Sequence, residues 1–242
     1  MVTERSFIET DQLAPAGYCE GGGMGTDDRL GYWDSFYGRS SLPLPSLPSQ
    51  FAAFALGEMF ALGVEDKVEG VIEFGCGNGR DSHFFSAYDF DLLALDASAE
   101  AIELCRSFSR QPRAHFEQCR ATEAREQVEG FLSGKQRVAV YARFFLHAIR
   151  EEEQNDFLSL LGTLLPAGCL LFLEYRTVAD AEQEKVFGDG HYRRYLDHRA
   201  TLAGIEAAGF SVLYEIEGHG LAKYRDEDAK VGRCVAMKQV AR

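Results

Sequence analysis

Residues 71–85 read VIEFGCGNGRDSHFF. An apolar run closes on an acid, Glu73, glycines follow at 75, 77 and 79, and a polar segment then opens a helix-like pattern. Strand, turn and helix in that order are the repeating unit of a parallel sheet. In such a sheet ligands bind beyond the carboxyl ends of the strands. Glycine there lets the backbone approach a ligand that a Cβ would hold off. A tight turn with no ligand would use the same residues. A dinucleotide fingerprint reads GxGxxG, whereas this turn reads GxGxG followed by Arg80, so a pyrophosphate is the poorer match.

The same alternation runs through the rest of the chain. QFAAFALGEMFALG (50–63) is apolar all round and reads as a helix against the core. VEGVIEF, DFDLLALD, RAHFEQCR, RVAVYARFF and CLLFLEYR read as five strands. RDSHFFSAY, SAEAIELCRSFSR with Ser98 as N-cap, and EEEQNDFLSLLGTLL with acids in its first turn read as helices. A further helix around RATLAGIEAAGF stops at Gly209, and SVLYEIEG and GRCVAMKQV can pair as a closing hairpin. The expected fold is α/β, with a mostly parallel sheet, helices on both faces and an antiparallel edge.

The 242 residues are 46% apolar and 26% charged, which supplies a sizeable core. A net charge of −13 argues against a nucleic-acid partner. The six cysteines show no CxxC pairing and read as reduced thiols of a cytoplasmic protein. No apolar run has membrane-spanning length, and the first residues lack the pattern of a signal peptide. GGGMG at 21–25 follows no strand and reads as a flexible segment rather than a phosphate cradle. SLPLPSLPS (41–49) is a proline-punctuated connector.

Glu73-Phe74-Gly75-Cys76-Gly77-Asn78-Gly79, with Asp96 closing LLALD one unit later, resembles the class I S-adenosylmethionine-dependent methyltransferases. The resemblance covers residues from about 50 to the C-terminus. It implies a Rossmann-like seven-stranded sheet and S-adenosyl-L-methionine as cofactor, with S-adenosyl-L-homocysteine as product. On that resemblance Glu73, Gly75, Cys76, Gly77, Arg80, Asp96 and Ala97 surround the cofactor. Asp96 would hold the ribose hydroxyls, since a carboxylate accepts two hydrogen bonds readily; capping the next helix is its other reading. The acid expected after the third strand is absent or displaced to Glu123, behind Cys119-Arg120-Ala121-Thr122.

Residues 1–50 lie outside the common core and are expected to form a lid or cap on a 51–242 methyltransferase domain. Tyr32, Trp33 and Tyr37 resemble an aromatic segment that covers the cofactor in small-molecule enzymes of this family, and core packing is their other reading. The exit of the fourth strand places Arg143, Phe144 and His147 beside the methyl group on the same resemblance, with Arg143 also a cofactor contact. His147 reads equally as a hydrogen-bonded helix-entry residue. Glu174 and Arg176 end the fifth strand, and His191 to Tyr195 follow. Arginines gathered in an acidic protein suggest a pocket for an anionic acceptor; a solvated face is the other reading of Arg193 and Arg194. His147, His191 or Glu174 would take a proton if the acceptor is a hydroxyl.

The expected function is methyl transfer to an oxygen or sulfur of a small anionic or zwitterionic metabolite. No metal, nucleic-acid or membrane partner is expected, and the oligomeric state stays open. A surface glycan, a phosphonate or a protein side chain is the alternative acceptor, and a non-catalytic cofactor-binding module the alternative role.

Overall fold

The computed structural model describes residues 26–39, 44, 46–63, 67–88, 90–181, 192–224 and 227–240. The 21–25 glycine cluster and His191 lie outside them. Helices α1 (Thr26–Tyr37) and α2 (Gln50–Leu62) precede the sheet. Then come β1 (Gly70–Phe74), α3 (Arg80–Ser86), β2 (Asp91–Asp96), α4 (Ala99–Phe108), β3 (Ala114–Gln118), α5 (Arg125–Leu132), β4 (Val138–Arg143), α6 (Glu151–Leu164) and β5 (Leu170–Arg176). Helix α7 (His198–Ala207) leads into β6 (Phe210–Tyr224) and β7 (Glu227–Lys238).

The seven strands lie in the order β3-β2-β1-β4-β5-β7-β6. The first five are parallel, and β7 runs antiparallel to both β5 and β6. Alternate residues of each strand feed opposite faces. Ile72, Phe74, Val140 and Leu171 enter one core cluster with residues of α6 and α7. Val71, Leu92, Ala139 and Phe172 enter the other with residues of α2, α3 and α4. Both faces being covered explains why the strands read as continuous apolar runs. No helix among the described residues is long and apolar enough to cross a membrane.

Strand order reverses between β1 and β4, and such a reversal opens a crevice at the carboxyl ends. The glycine turn after β1 lies at that crevice.

The structure differs from the sequence expectation in three places. Helix α5 fills the β3–β4 crossing; it is short and contributes one fully buried residue, Val128, so its pattern is faint. The aromatic segment at 31–37 is part of a helix, α1. The closing hairpin outruns the sheet: β5 pairs with β7 up to Arg176↔Val231, whereas β6 and β7 stay paired as far as Tyr224↔Glu227. This projecting arm packs Ala222, Ala229 and Val231 with Phe144 at the exit of β4. Gly218 and Gly220, together with a register shift between Gly218 and Ala222, break the alternation that would have marked the arm in the sequence.

Candidate functional site

Gly75, Gly77 and Gly79 all have left-handed backbones, with φ of 71, 55 and 74°. Glycine takes this conformation without the steric cost that other residues meet. Each Cβ position is also filled. It would stand 2.9 Å from Phe145, 2.5 Å from the Tyr37 hydroxyl and 2.7 Å from the Cys105 sulfur, respectively. The glycines therefore serve close packing by this chain's own side chains, a demand that the sequence alone did not separate from ligand approach. The turn is tied to β2 by the amides of Gly75 and Cys76, which both donate to the Leu95 carbonyl.

Asp96 ends β2 at the crevice. Its two oxygens accept the amides of Gly77 and Ser98, each at 2.9 Å. Burial pushes its carboxyl up, against the pull of those amides. A carboxylate has about four acceptor sites, so Asp96 keeps capacity for a ligand's hydroxyls. Glu73 is buried and accepts the Ser82 hydroxyl at 2.5 Å. Burial, and then the neighbouring Asp81, push its carboxyl well above the usual range. Its negative charge is thereby disfavoured.

Asp81 went unnoticed in the sequence. It accepts the Ser49 amide and hydroxyl at 2.7 Å and the Tyr141 hydroxyl at 2.8 Å, joining the start of α2 to β4. The Cys76 and Cys105 sulfurs lie 4.0 Å apart, and that contact, followed by burial, pushes the Cys76 thiol well up.

Helix α1 lies along this crevice. Tyr32, Trp33, Phe36 and Tyr37 recur at helical spacing and line a cleft of about 740 Å³. Burial and the Asp96 charge raise the Tyr37 hydroxyl well above its ordinary value. Two side-chain pairs tie the helix to the rest of the cleft. Both terminal nitrogens of Arg29 meet Glu153 of α6 at 2.8 Å, and Asp34 accepts the Ser98 hydroxyl at 2.6 Å. One contact stands on the β4 side of the strand reversal and the other on the β2 side, so α1 spans the cleft.

Beyond β3 the cleft is bounded by Cys119, Arg120, Ala121 and Thr122, while the exposed Glu123 is not among its lining. Beyond β4 and β5 it is bounded by Arg143, Phe144, His147, Arg176 and, from the hairpin arm, Tyr224 and Glu227. The structure thus brings Tyr32, Trp33, Tyr37, Glu73, Gly75, Cys76, Gly77, Arg80, Asp96, Ala97, Arg143, His147 and Arg176 to one cleft.

Glu174 departs from this pattern. It is 1% exposed, and its two oxygens accept Nε of Arg143 at 2.8 Å and Nε of Arg233 at 2.7 Å. It is not among the residues lining the cleft, and in this arrangement it holds Arg143 rather than facing an acceptor. Arg176 is also engaged, giving one terminal nitrogen to Asp180 at 2.6 Å and the other to Glu227. His147 is buried, and its Nδ1 faces the Arg176 amide at 3.4 Å.

Phe144 is the one described non-glycine residue with positive φ, at 55°. Such strain persists only where the surroundings impose it. Its ring lies under the Arg143 guanidinium at 4.1 Å and near that of Arg176 at 5.5 Å. The sequence could not show this, because the arm that packs against Phe144 is distant in the chain.

Residues 71–168 match a family model described as a methyltransferase domain. No curated protein is matched. Among solved structures, an S-adenosylmethionine-dependent methyltransferase from Anabaena variabilis is 19% identical, covers 88% of this chain and 94% of its own, and superposes with a TM-score of 0.69. A structure described by the conversion of a disulfide bond into a thioacetal group during echinomycin biosynthesis is 14% identical over 87% of this chain and 92% of that one, with a TM-score of 0.62. The [4+2]-cyclase SpnF is 14% identical over 82% and 86%, with a TM-score of 0.59.

Proposed function

We propose that this chain, whose residues 71–168 match a methyltransferase-domain model and whose fold is similar to that of S-adenosylmethionine-dependent methyltransferases, is an enzyme that moves the methyl group of S-adenosylmethionine to an oxygen or sulfur of a small metabolite bearing at least one negative charge. The observation that carries the acceptor class is Arg143. It shares the Glu174 carboxylate with Arg233, so one negative charge there serves two positive ones.

The residues fit the cofactor. The cleft lies at the strand reversal, Asp96 keeps acceptor capacity there, and aromatic side chains of α1 cover it. When bound, the cofactor supplies an electrophilic methyl group on a sulfonium sulfur. Asp96 would accept from the ribose hydroxyls, and Arg80, beside the glycine turn, would meet the amino-acid carboxylate. Helix α1 excludes water and orders the reactants. Arg143 holds the acceptor anion so that its nucleophile lies in line with the methyl. Positioning of this kind is worth on the order of 7–11 kcal/mol of barrier. For a hydroxyl acceptor, His147 is the described group left to take the proton. A carboxylate or thioether acceptor needs no base.

Incubation with methyl-labelled cofactor and a metabolite pool fractionated by charge tests this reading. Label should enter small molecules that carry an anionic group. Label confined to macromolecules, or to metabolites whose unmethylated form carries no anionic group, would contradict it. The likeness to a cyclase favours one second reading, a cofactor-binding fold without transfer; cofactor binding with no label in any fraction would select it.

Releasing the lid should loosen the cofactor. Arg29→Met combined with Asp34→Ala removes the two side-chain pairs that tie α1 to Glu153 and Ser98. A charge-assisted bond contributes roughly 1.5–3 kcal/mol, so S-adenosylhomocysteine should bind about tenfold more weakly. Calorimetry checks this, and an unchanged constant would remove the lid role.

A further inference from the structure

The acceptor end of the cleft has two poles of opposite sign. At one, Arg143 and Arg233 share Glu174, and among the described residues only Nε of Arg143 donates a hydrogen bond, so both of its terminal nitrogens remain for a ligand. At the other, Arg176 is shared by two carboxylates, Asp180 and Glu227. Asp180 is fully buried and also accepts the Lys230 amide at 2.8 Å, so it is committed to the fold. Glu227 stands on the hairpin arm, lines the cleft, and engages Arg176 through one oxygen.

The ring of Phe144 lies between the poles, with the Arg143 guanidinium at 4.1 Å and that of Arg176 at 5.5 Å. Lys223, on the same arm, is solvent-exposed at the rim, and Arg193 lines the cleft with a partner of its own.

An uncompensated charge shielded from water is costly, and a ligand that completes it binds for that reason. A plain anion would satisfy Arg143 but set its charge against Glu227. A plain cation would do the reverse. Building on the methyltransferase reading above, we infer that the acceptor is a small zwitterion. Its carboxylate or other anionic group meets Arg143, its ammonium group meets the free oxygen of Glu227, and its carbon skeleton lies on the Phe144 ring. Glu227 is thereby a specificity residue, selecting amino-bearing acceptors from anions of equal size.

The test titrates the S-adenosylhomocysteine-loaded protein with unbranched ω-amino acids of increasing length, from glycine upward. Matching alkanoates and alkylamines serve as single-charge probes. At one chain length the amino acid should bind about tenfold or more tightly than either single-charge partner. Glu227→Gln should erase that preference, bringing the amino acid and alkanoate to within about twofold, while leaving S-adenosylhomocysteine affinity at the wild-type value as evidence of an intact fold. Arg143→Met should weaken the amino acid and the alkanoate alike.

Equal binding of alkanoate and amino acid, binding of neither, or a preference that survives Glu227→Gln would overturn the inference. Failure of the wild-type protein to bind S-adenosylhomocysteine would instead strike the methyltransferase reading itself, and this inference with it.

Discussion

Gly77→Val should lower S-adenosylhomocysteine affinity by about a hundredfold or more, which corresponds to roughly 2.8 kcal/mol. Valine is among the residues least able to adopt a φ of 55°, and holding it there costs about 1–3 kcal/mol. Its Cβ would also stand 2.5 Å from the Tyr37 hydroxyl. Either the turn moves, withdrawing the Gly77 amide from Asp96, or Tyr37 moves and lifts α1 from the cleft. Both damage the cofactor side. Asp96→Ala should have a similar effect, because it removes the hydroxyl acceptor together with the acceptor of the Gly77 amide. Circular dichroism and calorimetry on the two variants separate lost binding from lost fold. Undiminished affinity in both would sink the assignment of the turn.

The largest effect on stability should come from Glu174→Ala. Glu174 is fully enclosed between Arg143 and Arg233, whose side chains are 16% and 7% exposed. Removing it leaves two guanidinium groups facing one another with no shared carboxylate. Breaking a buried pair by deleting one partner costs about 3–5 kcal/mol. For a chain of this size the melting temperature should fall by about 10 °C. Glu174→Gln, which keeps two polar ends but loses the charge, should fall between the wild type and the alanine variant. A melting temperature for Glu174→Ala within about 2 °C of wild type would show that the arginines are not held this way.

The parallel part of the fold was legible where strands are buried on both faces, as β1, β4 and β5 are, and where a helix carries a start signal; helix α5 has no side-chain cap and was missed. Ser98, expected as an N-cap, does accept the Ala101 amide. The glycine turn and Asp96 were legible because acid, glycine spacing and strand order agree over a short stretch. What the sequence did not show depends on contacts between distant segments. Glu174 looks like a free base at a strand end until Arg233, 59 residues later, is paired beside it on β7. Phe144 is expected beside the methyl group, but its left-handed backbone and its packing against the hairpin arm show only in the folded chain. Arg29 and Asp34 carry no signal in the sequence, since their partners, Glu153 on α6 and Ser98 capping α4, lie on opposite sides of the strand reversal.

Direct titration of the wild-type protein with S-adenosylhomocysteine, and separately with NAD, tests the central claim most directly. A cleft built on Asp96 and a GxGxG turn should give saturable one-to-one heat with S-adenosylhomocysteine and none with NAD. A folded protein that gives no heat with S-adenosylhomocysteine, or that prefers NAD, would contradict the account.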